Sequence, residues 1–285
     1  MNRLATLLIV AQACAGAQHR YSVSGMVLSL DRPHQSVLVS HGGIPGYMDA
    51  MTMAFRVRTT KDLGPLHPGD AVAFTLVIDK NSSWAENIRV VEFDSAERDP
   101  VQANRLQLLA LLMEKNAALA LSPGDPVPDF TLTDQTNHPV RFSAFAGKVV
   151  VLNFIYTRCP LPDYCFRLSN NFGQLQKRFA PTRDLVLLTV TFDPGNDSPD
   201  VLARYGQIWK ADPGFWHFLT GPPAEIQRLC ALFGVGYWPD EGFYTHSLHT
   251  AVIDPQGKLV ANLEGNRYAA RQLGDLVETV IHGLR

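Results

Sequence analysis

The segment from Lys148 to Tyr156, Lys-Val-Val-Val-Leu-Asn-Phe-Ile-Tyr, is apolar almost without interruption. A continuous run of this length, rich in β-branched residues, fits a strand covered on both faces. Leu185–Thr191 is a second such run. Around them, Leu168–Phe179, Ser198–Trp209, Glu225–Phe233 and Ala269–His282 read as helices. Ala251–Ile253 and Lys258–Asn262 flank Asp254-Pro255-Gln256-Gly257, a turn, and so form a hairpin. Strands alternating with helices and ending in a hairpin and a helix predict an α/β domain over residues 123–285.

The stretch before it has a different character. Tyr21–Leu30, Ser36–His41, Met51–Val57, Ala71–Asp79 and Ala85–Phe93 read as short strands separated by turn signals such as Pro68-Gly69-Asp70 and Asn81-Ser82-Ser83. Five strands over residues 18–95 predict a small all-β domain, an OB-like barrel. A charged break, Asp94-Ser95-Ala96-Glu97-Arg98-Asp99-Pro100, leads into the leucine-rich Val101–Leu121. That segment reads as a connecting helix, bounded at 96–122. Two domains agree with a length of 285 residues. The 25 Lys and Arg against 27 Asp and Glu leave a net charge of −2, which argues against a nucleic-acid partner.

Residues 1–17 read as an export signal. Arg3 precedes an apolar stretch from Leu4 to Ala13, and Ala15-Gly16-Ala17 supplies a small-x-small cleavage site. A second reading makes Ala11-Gln12-Ala13-Cys14 a weak lipobox, with Cys14 a lipidated membrane anchor. Both readings place the mature chain outside the cytosol, in an oxidising compartment or on the periplasmic side of a membrane.

Chemistry gathers immediately after the long apolar strand, in Thr157-Arg158-Cys159-Pro160-Leu161-Pro162-Asp163-Tyr164-Cys165. The carboxyl end of a strand in an open α/β sheet is where sites are usually built. The two prolines keep the chain a loop to about Pro162. Asp163 is then a plausible N-cap, with Tyr164 and Cys165 in the first helical turn, so Cys165 should have a lowered pKa. In a thioredoxin-like domain the loop Tyr244–Thr250 lies against the cysteines. It holds no proline where oxidoreductases of that fold carry a cis-proline, but offers His246 and His249. Cys159, Cys165 and His246 make a soft trigonal set for Cu(I), or three protein ligands of a zinc site. The fourth cysteine of the chain, Cys230, sits on an amphipathic helix and reads as core. Asp193 and Asp197 read as turn or N-cap residues.

The barrel has its own cluster, His41 followed by Met48, Met51, Thr52 and Met53. Three of the six methionines of the chain fall within six residues. Met51 and Met53 alternate on a strand and share a face. Thioethers with an imidazole favour Cu(I) over hard cations.

The segment 123–285 resembles the Sco/SenC family of copper chaperones. The matching stretches are Gly124–Phe130, Asn153–Pro160, Thr191-Phe192-Asp193-Pro194 with Asp197-Ser198-Pro199, Trp216–Gly221, and His246 eight residues before Asp254-Pro255. The resemblance implies copper held by Cys159, Cys165 and His246. It also implies delivery to a respiratory oxidase copper centre during cytochrome c oxidase assembly, with the copper-bearing subunit or another periplasmic copper protein as partner. The family spaces its cysteines with three residues between them; here five intervene. The stretch around Met51-Thr52-Met53 resembles the CusF-like copper-binding domain, which implies Met51 and Met53 as ligands. His41 is offset by about one position from that family's histidine, and Met48 stands where it carries tryptophan. The alternative to a metallochaperone is a thiol-disulfide oxidoreductase using Cys159 and Cys165 on a partner's copper-site cysteines; enzyme activity is thus left open. A peroxiredoxin would want Thr-x-x-Cys, which is not present here.

Overall fold

The computed structural model describes residues 18–80, 82–91, 120–240 and 242–283. The export signal, Cys14 and nearly all of the connecting helix lie outside the described residues. Strands β1 (His19–Asp31), β2 (Ser36–His41), β3 (Met51–Arg56), β4 (Ala71–Asp79) and β5 (Ser82–Val90) form one antiparallel sheet in the order β3-β2-β1-β4-β5. Its two edges meet at a parallel bridge between Val57 and Ala85. Val23, Val27, Val37, Val39, Phe55, Phe74 and Leu76 fill the interior. The fifth strand starts earlier than the sequence predicts, because Asp79 pairs directly with Ser82 and the hairpin is tighter than the turn signal Asn81-Ser82-Ser83 implies.

The second sheet contains β6 (Thr131–Asp134), β7 (Pro139–Arg141), β8 (Val149–Ile155), β9 (Leu185–Thr191), β10 (Trp216–Thr220), β13 (His249–Ile253) and β14 (Leu259–Glu264), in the order β14-β13-β8-β9-β10-β6-β7. A separate two-stranded ribbon pairs β11 (Tyr237–Asp240) with β12 (Phe243–His246). Strands β8, β9 and β10 are parallel, and every residue of β8 and β9 is buried, as their unbroken apolar composition requires. Helices α1 (Arg167–Phe179), α2 (Pro199–Ile208), α3 (Pro223–Leu232) and α4 (Ala270–Ile281) complete the thioredoxin-like domain. On α1 the buried Leu168, Phe172, Leu175 and Phe179 recur at helical spacing and form one apolar stripe. Ser198 caps α2, accepting the Val201 amide, with Pro199 at the first helical position. No described helix is long and apolar enough to cross a membrane.

The two sheets share a wall. Val23 and Val27 of β1 point into the barrel, while Met26 and Leu28 pack into the core of the larger domain. Gly69 seals a second contact. It holds a left-handed φ of +92°, and a Cβ there would come within 2.7 Å of Ala261 and Leu263 on β14.

Candidate metal centre

Cys159 lies on the loop leaving the buried end of β8, where its amide donates to the Tyr156 carbonyl (3.3 Å). Two carboxylates hold this loop from below. Asp197 accepts from the Thr157 amide (3.1 Å), the Thr157 hydroxyl (2.5 Å) and the Thr191 hydroxyl (2.6 Å). Asp193 pairs with Arg158 at 2.8 Å and accepts from Asn196 and, at 3.4 Å, from the Tyr244 hydroxyl. Neither carboxylate caps a helix, since Ser198 takes that role. Sequence reading reduced both to turn residues. The signals that could have raised them were their position after a buried strand and their place in the stretches that resemble the Sco/SenC family. Burial outweighs the hydrogen bonds at Asp197 and raises its pKa.

The next residues correct the sequence expectation. No regular helix begins at Asp163. Pro162–Phe166 form a π turn kinked at Tyr164, whose angles are non-helical (φ −109°, ψ −111°), and Phe166, in helical angles, leads into α1 at Arg167. This turn absorbs the extra residues between the cysteines. Asn266 ties it down by donating to the Asp163 carbonyl. Cys165 is thereby driven into the core, 1% exposed, with its Sγ 3.7 Å from His246 Nε2. One ligand atom from each of Cys159, Cys165 and His246 lies within 4.8 Å of the other two.

His246 ends β12 and is 2% exposed, its ring enclosed by Tyr156, Tyr164 and Phe192. Its Nδ1 lies 2.9 Å from the Ser247 carbonyl oxygen, which can only accept. In the neutral ring Nδ1 therefore carries the proton, and Nε2 faces the sulfurs, offering a lone pair to a metal or, in the protonated ring, an N–H to a thiolate. His249 begins β13, is buried, and stands outside this cluster; burial pushes its pKa down to about 4. Among the described cysteines, Cys230 is buried in the core as the sequence predicts, and burial pushes its thiol up.

The Cys165 thiol is raised, where the sequence predicts it lowered, and the two site thiols differ in acidity. A hydrogen bond from the Cys165 thiol, and a further one from His246, hold the half-exposed Cys159 well below the ordinary thiol range. Burial, together with the charge on Cys159, pushes Cys165 up. A helix N-terminus would favour a Cys165 thiolate, but Cys165 is almost wholly buried and desolvation wins. At pH 6, iodoacetamide should therefore modify Cys159 in the reduced protein and spare Cys165 and Cys230, as read by peptide mass mapping. Labelling of Cys165 ahead of Cys159 would contradict this order.

In the barrel, His41 pairs across the strands with Met51, and Val39 with Met53. Residues opposite one another share a face, so His41, Met51 and Met53 lie on the interior side with Phe55, whose ring meets the imidazole edge-on at 5.6 Å. His41 is 0% exposed, whereas Met51 is 48% exposed at the rim. The His41 Nδ1 lies 2.6 Å from the Gly42 carbonyl oxygen, and its buried Nε2 has no hydrogen-bond partner. That is the same tautomer as His246, with a bare lone pair in an apolar setting. Gly25 makes the close packing possible: a Cβ there would sit 2.8 Å from the His41 Cα and 2.6 Å from Val39. Met48 is half-buried against the barrel core on the loop between β2 and β3, where it bridges to Ile44.

Comparison with known proteins gives two family matches. The SCO1/SenC model matches residues 120–281, and the model described as copper binding periplasmic protein CusF matches residues 20–89. A Stutzerimonas stutzeri protein named as copper-binding is 34% identical over 166 residues, which cover 53% of this chain and 78% of that one. Among solved structures, a SCO1/SenC family lipoprotein from Bacillus anthracis superposes with a TM-score of 0.50 at 23% identity, covering 54% of this chain and 94% of the other. A protein called BsSco, described as a member of the Sco family of cytochrome c oxidase assembly proteins, gives 0.50 at 23% identity over 58% and 98%. At such identities the two structures speak for the fold.

Proposed function

This chain belongs to the SCO1/SenC family, and on that footing we propose that it is an exported copper(I) metallochaperone with two soft sites. Cys159, Cys165 and His246 bind the ion in the thioredoxin-like domain; Met51, Met53, His41 and Met48 bind it in the barrel. Copper is cargo here, captured by thioethers and imidazole and passed on by ligand exchange. The single observation that carries the reading is the trio of Cys159, Cys165 and His246 ligand atoms within 4.8 Å, with the histidine held in its ligating tautomer. Two sulfurs and one nitrogen at that separation suit trigonal Cu(I). The recipient we infer, a copper centre of a respiratory oxidase, follows from membership of the SCO1/SenC family and the resemblance of residues 123–285 to its copper chaperones. Export agrees with the leader-like residues 1–17 and with the match to a periplasmic family. In the lipoprotein reading the leader ends before Cys14 instead, and that cysteine carries the lipid.

The asymmetric thiols favour a second reading, thiol-disulfide exchange. The Cys159 thiolate would attack a partner disulfide and release one partner thiolate. Cys165 would then displace the second, leaving Cys159 and Cys165 oxidised and the partner reduced by two electrons. An anaerobic Cu(I) titration of reduced protein against a competing chelator separates the readings. Two ions should bind the wild type. Cys159→Ser should abolish one site, and Met51→Leu with Met53→Leu the other. One site insensitive to both sets of substitutions would sink the two-site chaperone.

A further inference from the structure

The threonine between the two barrel methionines points away from them. Thr52 and its cross-strand partner Ser40 face the opposite side of the β2–β3 ribbon, toward α4 of the thioredoxin-like domain. There the hydroxyls of Ser40 and Thr52 both donate to one oxygen of Asp275, at 2.7 and 2.9 Å. Arg271 donates to the same carboxylate oxygen at 3.0 Å, to the Ser40 hydroxyl at 3.0 Å, and to the main-chain carbonyl of His41 itself at 2.7 Å. Gln272 donates to the Ser40 carbonyl at 3.0 Å. The other oxygen of Asp275 accepts from Arg178 on α1, which anchors the arrangement in the larger domain.

We propose that α4 positions the barrel's copper ligands: Arg271, Gln272 and Asp275 fix β2 and β3 at His41 and between Met51 and Met53, so the thioredoxin-like domain sets the barrel's affinity for Cu(I). The inference rests on the copper reading of the barrel. Its physical basis is the alternation of a strand. Side chains at 41, 51 and 53 face one way, those at 40 and 52 the other, and clamping the second set holds the first. A thioether is a weak and flexible ligand, so its contribution depends on where the backbone puts it. None of the three helix residues touches a ligand side chain in these contacts, and they are positioning residues. The clamp also accounts for the threonine of the Met-Thr-Met segment, which takes no part in a soft donor set.

The test uses the full chain with Cys159→Ser and Cys165→Ser, which removes both thiol ligands of the other site. Adding Arg271→Ala should weaken Cu(I) binding, measured anaerobically against a chelator, by about 10–100-fold, the usual cost of losing an outer partner of a metal ligand. Arg271→Lys should restore part of it. X-ray absorption should show the nitrogen ligand lost or lengthened and the sulfurs retained. In the complementary background, Met51→Leu with Met53→Leu, Arg271→Ala should leave the cysteine-site affinity within twofold. Unchanged barrel affinity in both Arg271→Ala and Gln272→Ala overturns the inference while leaving the barrel site standing. A fall at both sites marks general loosening and also overturns it. If the double-serine chain with α4 intact binds no Cu(I), the copper reading of the barrel has failed first.

Discussion

Replacing His246 with alanine should weaken Cu(I) binding at the cysteine site by more than the ~10–100-fold that loss of an outer-shell partner costs, because a direct ligand is removed. The imidazole has two roles in the geometry. Its Nε2 faces Cys165 at 3.7 Å, with the proton parked on Nδ1 by the Ser247 carbonyl. It also contributes to the low pKa of Cys159. The substitution should therefore raise the Cys159 pKa, visible as an upward shift in the pH dependence of its alkylation. The barrel site should keep its affinity, since His41, Met51 and Met53 lie in the other sheet. Intact copper affinity together with fast disulfide exchange in His246→Ala would replace the chaperone with the oxidoreductase.

Asp197→Ala should be the most damaging change away from the ligands. It removes the acceptor of three hydrogen bonds and strands the buried hydroxyl of Thr191 and that of the half-buried Thr157. Hydrogen bonds to a charged group contribute ~1.5–3 kcal/mol each and do not sum, so a loss of about 2–4 kcal/mol in unfolding free energy is expected. Thr157 lies two residues before Cys159, so copper affinity at that site should fall as well. Asp197→Asn keeps the shape and discards the charge. Because burial raises the Asp197 pKa, its ionised form costs stability at neutral pH, and that cost is relieved as pH falls through the raised value toward the unfolded one. Between pH 7 and about 4, denaturant titrations should move the stability difference in favour of the wild type over Asp197→Asn. A gap that widens the other way on acidification would show that the carboxylate is stabilised rather than desolvated.

Much of the architecture was legible from local pattern. The two unbroken apolar runs became β8 and β9, and the bounds of β2, β4 and β9 match those read from alternation and turns. The short strands β6, β7, β10, β11 and β12 escaped notice, because three to five residues carry too little periodicity to stand out. The candidate donors were also legible, since soft ligands cluster visibly: two cysteines after a buried strand, a histidine before the last hairpin, three methionines within six residues. The acidity of Cys165 was misread. Local rules put Cys165 at a helix start, but the prolines and Tyr164 shape a π turn that buries it.

By itself, then, the amino-acid order determined the longer strands and the helices and which residues bring sulfur and imidazole, because periodicity and residue chemistry are local properties. Tertiary structure alone decided which thiol ionises, how five intervening residues still bring both sulfurs to His246, and that Thr52 and Ser40 tie the barrel to α4. These outcomes depend on desolvation and on partners remote in sequence: Asp275 stands 223 residues from Thr52 and 235 from Ser40. No local pattern records such a pairing, because the contact energy appears only once the core has closed.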